Sequence, residues 1–64
     1  MTSCLRELRG HRGLTQEGLA ELAGVSRQTI NSIETGRFEP SLSLALVLAH
    51  LFETPVERIF ALPD

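Results

Sequence analysis

The chain has 64 residues, a formal net charge of −2 and a hydrophobic fraction of 42%, which fits one small domain and is too apolar for a disordered tail. Its single cysteine excludes an intramolecular disulfide and is typical of a reducing cytoplasm. The apolar runs are too short to span a membrane, the N-terminus lacks the apolar core of a signal peptide, and so short a chain has little room for a catalytic cleft. We therefore expect a small cytoplasmic domain that binds a partner.

The charges are distributed unevenly along the chain. Residues 1–37 contain five arginines and four carboxylates, a net charge of +1, whereas residues 38–64 contain one arginine and four carboxylates, a net charge of −3. All six basic residues are arginine, whose guanidinium forms paired hydrogen bonds with a phosphate or a guanine. The N-terminal part is therefore where we expect an anionic partner to bind.

The first two predicted helices are short, and each ends at a glycine. Helix 1 is predicted over about residues 3–10, with Ser3 as its N-cap. Helix 2 is predicted to begin after the N-cap Thr15 and to end at Gly24, whose left-handed conformation would turn the chain sharply. The residues predicted to form the apolar faces of these helices are Leu5, Leu8, Leu19, Leu22 and Ala23.

Three further helices are predicted in the rest of the chain. Helix 3 is predicted over about residues 27–35, after the N-cap Ser26 and with Ile30 and Ile33 facing inward. Helix 4 follows a cap at residue 41 and extends to about residue 52, and helix 5 is capped by Thr54 with a proline in its first turn. The residues predicted to form the apolar side of helix 5 are Val56, Ile59, Phe60 and Leu62. Strand signals are weak, so the predicted fold class is all-α.

The region from about residue 15 to residue 36 carries the functional signal. Two short helices around a glycine turn form a helix-turn-helix, whose second helix fits the ~12 Å major groove of B-DNA. Gln16 in the first turn of helix 2 is placed for a DNA phosphate, as are Thr29 and Arg37. Arginine and glutamine also match the major-groove edges of guanine and adenine. The polar face of helix 3 is predicted to contain Arg27, Gln28, Asn31 and Ser32.

A family pattern runs through the same region. It consists of Leu14-Thr15-Gln16-x-x-Leu19-Ala20-x-Leu22-Ala23-Gly24-Val25-Ser26-Arg27-x-Thr29-Ile30-x-x-Ile33-Glu34-x-Gly36. This pattern resembles the phage-repressor and Cro-type (XRE) helix-turn-helix family, and Pro40-Ser41-Leu42 with the following helices extends the resemblance to about residue 62. The resemblance implies a compact five-helix λ-repressor-like domain, usually a homodimer on a palindromic operator. It also implies that Gln16, Arg27, Gln28 and Ser32 lie near bases, and that Thr29, Asn31 and Arg37 lie near the DNA backbone.

Glu34 needs a separate explanation, because a carboxylate close to DNA phosphates is repulsive. The resemblance implies that this residue pairs with an arginine of helix 1, which here is Arg9. We therefore predict an Arg9–Glu34 ion pair beneath helix 3. Breaking one side of such a pair costs about 3–5 kcal/mol when it is buried, and less when solvent reaches it.

The sequence of helix 4 predicts a second contact surface. Residues 42–52 are apolar nearly all round the helix, which is more than the core of one small domain can cover. The family that this chain resembles often has a long polar residue at the position of Val47 and a smaller one at that of Leu51. A homodimer would cover the excess and would present two recognition helices one DNA turn, ~34 Å, apart. The predicted dimer surface contains Leu44, Val47, Leu48, Leu51 and Phe60.

No catalytic or metal-binding pattern is recognisable. Cys4, His11 and His50 lack the paired spacing of a metal site, so we predict neither a metal nor a cofactor, and no enzymatic activity. The whole chain, residues 1–64, is predicted as one domain, with the helix-turn-helix at about 15–36 and helices 4 and 5 at about 41–62.

The predicted function is a sequence-specific transcriptional regulator in the cytoplasm. It would bind double-stranded DNA as a homodimer, most simply as a repressor. Two alternatives remain open. The first is an antitoxin that presents the surface of helices 4 and 5 to a toxin, and the second is a protein-interaction module that has lost DNA binding.

Overall fold

The computed structural model describes residues 1–63, and Asp64, the last residue of the predicted domain, lies outside the described residues. Five helices occur in this part of the chain, as predicted, and two short strands accompany them. The elements in chain order are β1 (Thr2–Ser3), α1 (Leu5–His11), α2 (Gln16–Ala23), α3 (Arg27–Glu34), α4 (Leu42–Phe52), α5 (Val56–Ile59) and β2 (Phe60–Ala61).

A small antiparallel sheet joins the two ends of the domain. Thr2 lies opposite Ala61, and Ser3 lies opposite Phe60. The sequence predicted no strands, because a two-residue strand is too short to show an alternating pattern, so the all-α prediction holds only for the main body of the fold. Ser3 is therefore not the cap of α1, and Phe60 and Leu62, predicted on helix 5, lie in β2 and beyond it.

Three helices begin at the predicted N-caps. The side-chain oxygens of Thr15, Ser26 and Ser41 each accept a hydrogen bond from the backbone N–H three residues later, at 2.9, 3.1 and 3.2 Å. Each such cap stabilises its helix by about 1 kcal/mol. The predicted Thr54 cap is wrong: Pro55 holds the N-cap position of α5, and the Thr54 hydroxyl donates to a carbonyl at the end of α4.

One apolar core is enclosed by the helices. Its buried members are Leu5, Leu19, Ala20, Ile30, Ile33, Leu48, Phe52 and Ile59. The prediction for Leu22 is wrong, because its side chain is 58% exposed. At 3.6 residues per turn, Leu22 lies roughly 100° around α2 from the centre of the stripe formed by Leu19, Ala20 and Ala23.

The apolar residues of α4 are divided between the core and the surface. Ala45, Leu48 and Phe52 are spaced to share one face, and all three are buried. Leu48 has no exposed surface, so its predicted place in a dimer surface is wrong. Its side chain is buried in the core of a single copy of the domain, so none of it is left to contact a second copy.

Candidate nucleic-acid interface

The turn between α2 and α3 sets the angle at which α3 is presented. Gly24 ends α2 in the left-handed conformation, with φ 75° and ψ 31°, which glycine adopts at little cost. The backbone N–H of Val25 then donates to the carbonyl of Ala20 at 3.0 Å, and the Val25 side chain packs against the core. The turn is therefore held by a backbone hydrogen bond to α2 and by the packing of Val25 against the core.

The outward side of α3 is the polar face that the sequence predicted. Arg27, Gln28 and Asn31 are exposed, and Ser32 is half-buried beside them. On the opposite side of the helix, Ile30 and Ile33 lie in the core. The face therefore projects from a helix anchored by its apolar side.

Thr29 and Arg37 lie at the two ends of this face. The Thr29 hydroxyl is 2.9 Å from that of Ser26, so it belongs to the hydrogen-bonded cap of α3. Arg37 follows Gly36, which has a φ of 78°, and its backbone N–H donates to the carbonyl of Ser32 at 2.9 Å. The side chain of Arg37 is exposed, as a phosphate contact requires.

The predicted Arg9–Glu34 ion pair is present beneath α3. Arg9 Nε and Nη2 donate to the two carboxylate oxygens of Glu34 at 2.7 and 3.2 Å. These two bonds fix the plane of the guanidinium relative to that of the carboxylate. The third contact of the same guanidinium is with the carbonyl of Leu14, at 2.9 Å. Glu34 is 4% exposed and Arg9 is 17% exposed. One arginine thus ties α1, the loop before α2, and α3 together.

Gln16 extends this network towards the exposed face, which the sequence did not predict. Its Nε2 donates to Glu34 Oε1 at 3.0 Å and to Asn31 Oδ1 at 3.2 Å. Both amide hydrogens are therefore engaged within the protein. A phosphate contact through the Gln16 amide would have to exchange one of these partners for the phosphate.

The ion pair keeps Glu34 charged close to the proposed DNA face. Burial alone would raise the pKa of Glu34, but the hydrogen bonds from Arg9 and Gln16 and the nearby arginine charges hold that pKa below its ordinary value of 4.5. The hydrogen bond to Glu34 likewise outweighs burial for Arg9 and raises its pKa. At neutral pH the negative charge of Glu34 is thus compensated within the protein.

Arg6 is a basic residue for which no role was predicted from the sequence. It is exposed and lines the same depression as Arg9, Gln16 and Asn31. The signal was available, since Arg6 and Arg9 are three residues apart on one helix and so share a face. Arg6 adds positive charge beside the polar face of α3.

The predicted dimer residues other than Leu48 reach the surface of the domain. Val47 is 40% exposed, and Leu44, Leu51 and Phe60 are half-buried at the edge of the core. Leu46, which was not predicted as a surface residue, neighbours Val47 and is 54% exposed. No sequence signal distinguished it, because nearly every residue of α4 is apolar.

Other chemistry-bearing residues do not assemble into a site. The Cys4 thiol donates to the carbonyl of Arg58 at 3.2 Å. Within residues 1–63, no group of three or more side chains is arranged to hold a metal ion. In the same part of the chain, every helix is too short or too polar to cross a membrane.

Comparison with known proteins gives consistent matches. A family profile described as helix-turn-helix matches residues 5–59. An uncharacterized HTH-type transcriptional regulator of Methanocaldococcus jannaschii is 47% identical over 64 residues, which is 100% of this chain and 97% of that protein. The uncharacterized HTH-type transcriptional regulator YgzD of Bacillus subtilis is 42% identical with the same coverage. Among solved structures, the restriction-modification controller protein C.AhdI from Aeromonas hydrophila matches with a TM-score of 0.78 and 39% identity, over 88% of this chain and 85% of that chain.

Proposed function

The chain belongs to the XRE type of the helix-turn-helix family of DNA-binding transcriptional regulators, and we propose that it represses transcription by binding a palindromic operator as a homodimer. The observation that carries this proposal is the outward face of α3. Arg27, Gln28 and Asn31 are exposed there, above a helix held by its core contacts and by the Arg9–Glu34 pair. Because the helix is already held in place, binding does not have to order its backbone.

The roles of the face follow from its chemistry. Arg27 at the start of α3 donates to a guanine edge or to a phosphate, and Gln28 matches the donor and acceptor of adenine. Thr29 and Arg37 contact phosphates at the two ends of the face. Asn31 and Ser32 lie one turn further along and complete the contact with the groove. Gln16 positions Asn31 and contacts the DNA backbone by exchanging one of its present partners.

The second surface supports the homodimer. Leu46 and Val47 are exposed apolar residues of α4, and α4 contains no charged residue between Leu42 and Phe52. Leu51 and Phe60, whose side chains are half-buried, belong to the same proposed surface. Two copies joined there bury apolar side chains that one copy leaves in water. The dimer also supplies two recognition helices, which is what a palindromic site requires.

Occupancy of the operator is the simplest mechanism of regulation for this domain. A face that binds DNA and a surface that joins two copies suffice to block access to a promoter. The net charge of −2 provides little general attraction to DNA, so contacts with bases supply much of the discrimination. Binding still weakens as salt rises, because each phosphate contact releases counterions. A protein acting on DNA in this way works in the cytoplasm of a prokaryotic cell.

Selection from a pool of randomised duplexes at low salt tests the proposal. The wild-type protein is expected to enrich a two-fold symmetric motif with half-site centres about 10 bp apart. Arg27→Ala is expected to weaken binding to that motif at least tenfold, about 1.4 kcal/mol. Arg58→Ala is the matched control, since it removes an exposed positive charge from α5.

The outcomes separate the proposal from its rivals. If the folded wild-type protein enriches no sequence, DNA recognition is refuted and a role in protein interaction takes its place. An enriched motif without two-fold symmetry would refute the homodimer alone. If R58A and R27A weaken binding equally, the contribution of Arg27 is one of general charge and not of position.

A further inference from the structure

An aromatic residue outside the helix-turn-helix lies against the proposed DNA-reading face. Phe38 is in the loop after α3, and its side chain is 48% exposed. It lines one shallow depression together with Ser26, Gln28, Thr29 and Ser32, all from the cap or the body of α3. The exposed ring is therefore beside the polar face of α3.

The backbone holds Phe38 in this position. After Gly36 the chain turns back on α3, and the N–H groups of Arg37 and Phe38 both donate to the carbonyl of Ser32, at 2.9 and 3.2 Å. The loop is thereby bonded to the helix on which Gln28 lies. Gln28 and Ser32 are four residues apart and share a face, so the ring lies next to hydrogen-bonding groups aimed outward.

The lining of the depression indicates its occupant. One wall is an aromatic ring, and the others carry an amide and hydroxyl groups. In the major groove, base pairs offer hydrogen-bonding atoms and one apolar group, the 5-methyl of thymine. We propose that Phe38 is a specificity-determining residue that contacts a thymine methyl, next to the base that Gln28 reads. This inference rests on the proposed function, since it assumes that the face of α3 enters the major groove.

Removal of single methyl groups from DNA tests the inference. In the duplex selected by the wild-type protein, each thymine is replaced in turn by deoxyuracil, which differs only by that methyl. At one thymine of each half-site, the wild-type affinity is expected to fall about fourfold, the equivalent of one buried methyl group. Phe38→Ala is expected to bind both duplexes alike at that position. Leu22→Ala, which shortens an exposed apolar side chain of α2, is expected to keep the fourfold difference.

Photocrosslinking of the wild-type protein gives a test that needs no variant. A duplex with 5-iodouracil at the sensitive position places the reactive atom where the methyl was. After trypsin digestion, the adduct is expected on the peptide that begins at Phe38, with the modification on Phe38 itself. An adduct confined to the preceding peptide, residues 28–37, overturns the inference.

Failure of the inference is distinguishable from failure of the proposed function. If no sequence is selected, both fall. If a motif is selected but no thymine responds to loss of its methyl, or if Phe38→Ala keeps the full response, the inference about Phe38 is wrong and the proposed function stands.

Discussion

Substitution of Glu34 by glutamine tests how the recognition helix is held. The change keeps the shape of the side chain but removes its charge, and it turns one acceptor towards Arg9 into a donor. The present carboxylate accepts from Arg9 at 2.7 and 3.2 Å and from Gln16 at 3.0 Å, with only 4% of its surface exposed. E34Q therefore leaves the Arg9 guanidinium without its charged partner in a site mostly closed to water.

The magnitude of the effect follows from that burial. Breaking one side of a buried pair costs about 3–5 kcal/mol, and the 17% exposure of Arg9 places this pair at the lower end, about 3 kcal/mol. A domain of this size has a total stability of roughly 3–10 kcal/mol. E34Q is therefore expected to remove a large share of the stability of the domain. Urea denaturation followed by far-ultraviolet circular dichroism measures the loss.

Glu53→Gln is the matched control for this experiment. The Glu53 side chain is 86% exposed, and its nearest contact with Arg12 is 3.9 Å, so the same chemical change is expected to alter the free energy of unfolding little. If E34Q destabilises the domain no more than E53Q does, the ion pair does not hold α3 and the reasoning is refuted.

The acid dependence of stability provides an independent check on the same pair. The carboxyl of Glu34 has a pKa below its ordinary value of 4.5 in the folded protein and titrates near that value when unfolded. The unfolded chain thus takes up its proton first as pH falls, and the contribution of the pair to folding is lost. The advantage of the wild-type protein over E34Q is expected to be full above about pH 4.5 and to shrink below it. An advantage that grows on acidification contradicts the assignment.

Three further expectations concern the turn, the dimer surface and the DNA face. Gly24→Ala is expected to destabilise the domain by about 1–2 kcal/mol, because φ is 75° there. Gly10 lies within a helix and has free space around it, so Gly10→Ala is expected to stabilise the domain by roughly 0.5–1 kcal/mol, and thermal unfolding compares the two variants. Val47→Asp is expected to weaken dimerisation roughly a hundredfold in analytical ultracentrifugation, and Leu22→Asp, which places the same charge on another exposed face, to leave it intact. Arg37→Ala is expected to lower the slope of log affinity against log salt concentration by about one, and an unchanged slope excludes its phosphate contact.

The helix-turn-helix was predictable because local signals agree with one another there. The caps Thr15 and Ser26, the left-handed Gly24 and the inward isoleucines of α3 all specify the same two helices, and the structure has them. The Arg9–Glu34 contact joins residues 25 apart in the sequence, so it could be predicted only through the family resemblance. Periodicity alone does not report such distant pairs.

The incorrect sequence predictions concern residues whose structure depends on contacts with distant parts of the chain. The strands at Thr2–Ser3 and Phe60–Ala61 form because these two segments pair with each other, and no local sequence pattern predicts that pairing. In α4 nearly every residue is apolar, so the sequence could not show that Leu48 faces the core and Leu46 the solvent. Phe38 was missed for a related reason, since its position depends on a loop bonded back onto α3.

The most direct test of the account is to map which surface of the protein touches DNA. A titration of the nitrogen-15-labelled protein with the selected duplex, followed by NMR, reports each backbone amide and each asparagine and glutamine side chain. The largest shift changes are expected in α3, from Arg27 to Ser32, with further changes at Gln16 and in the loop at Arg37 and Phe38. Changes concentrated in α4 and α5, with α3 unaffected, would contradict the claim that α3 reads the DNA.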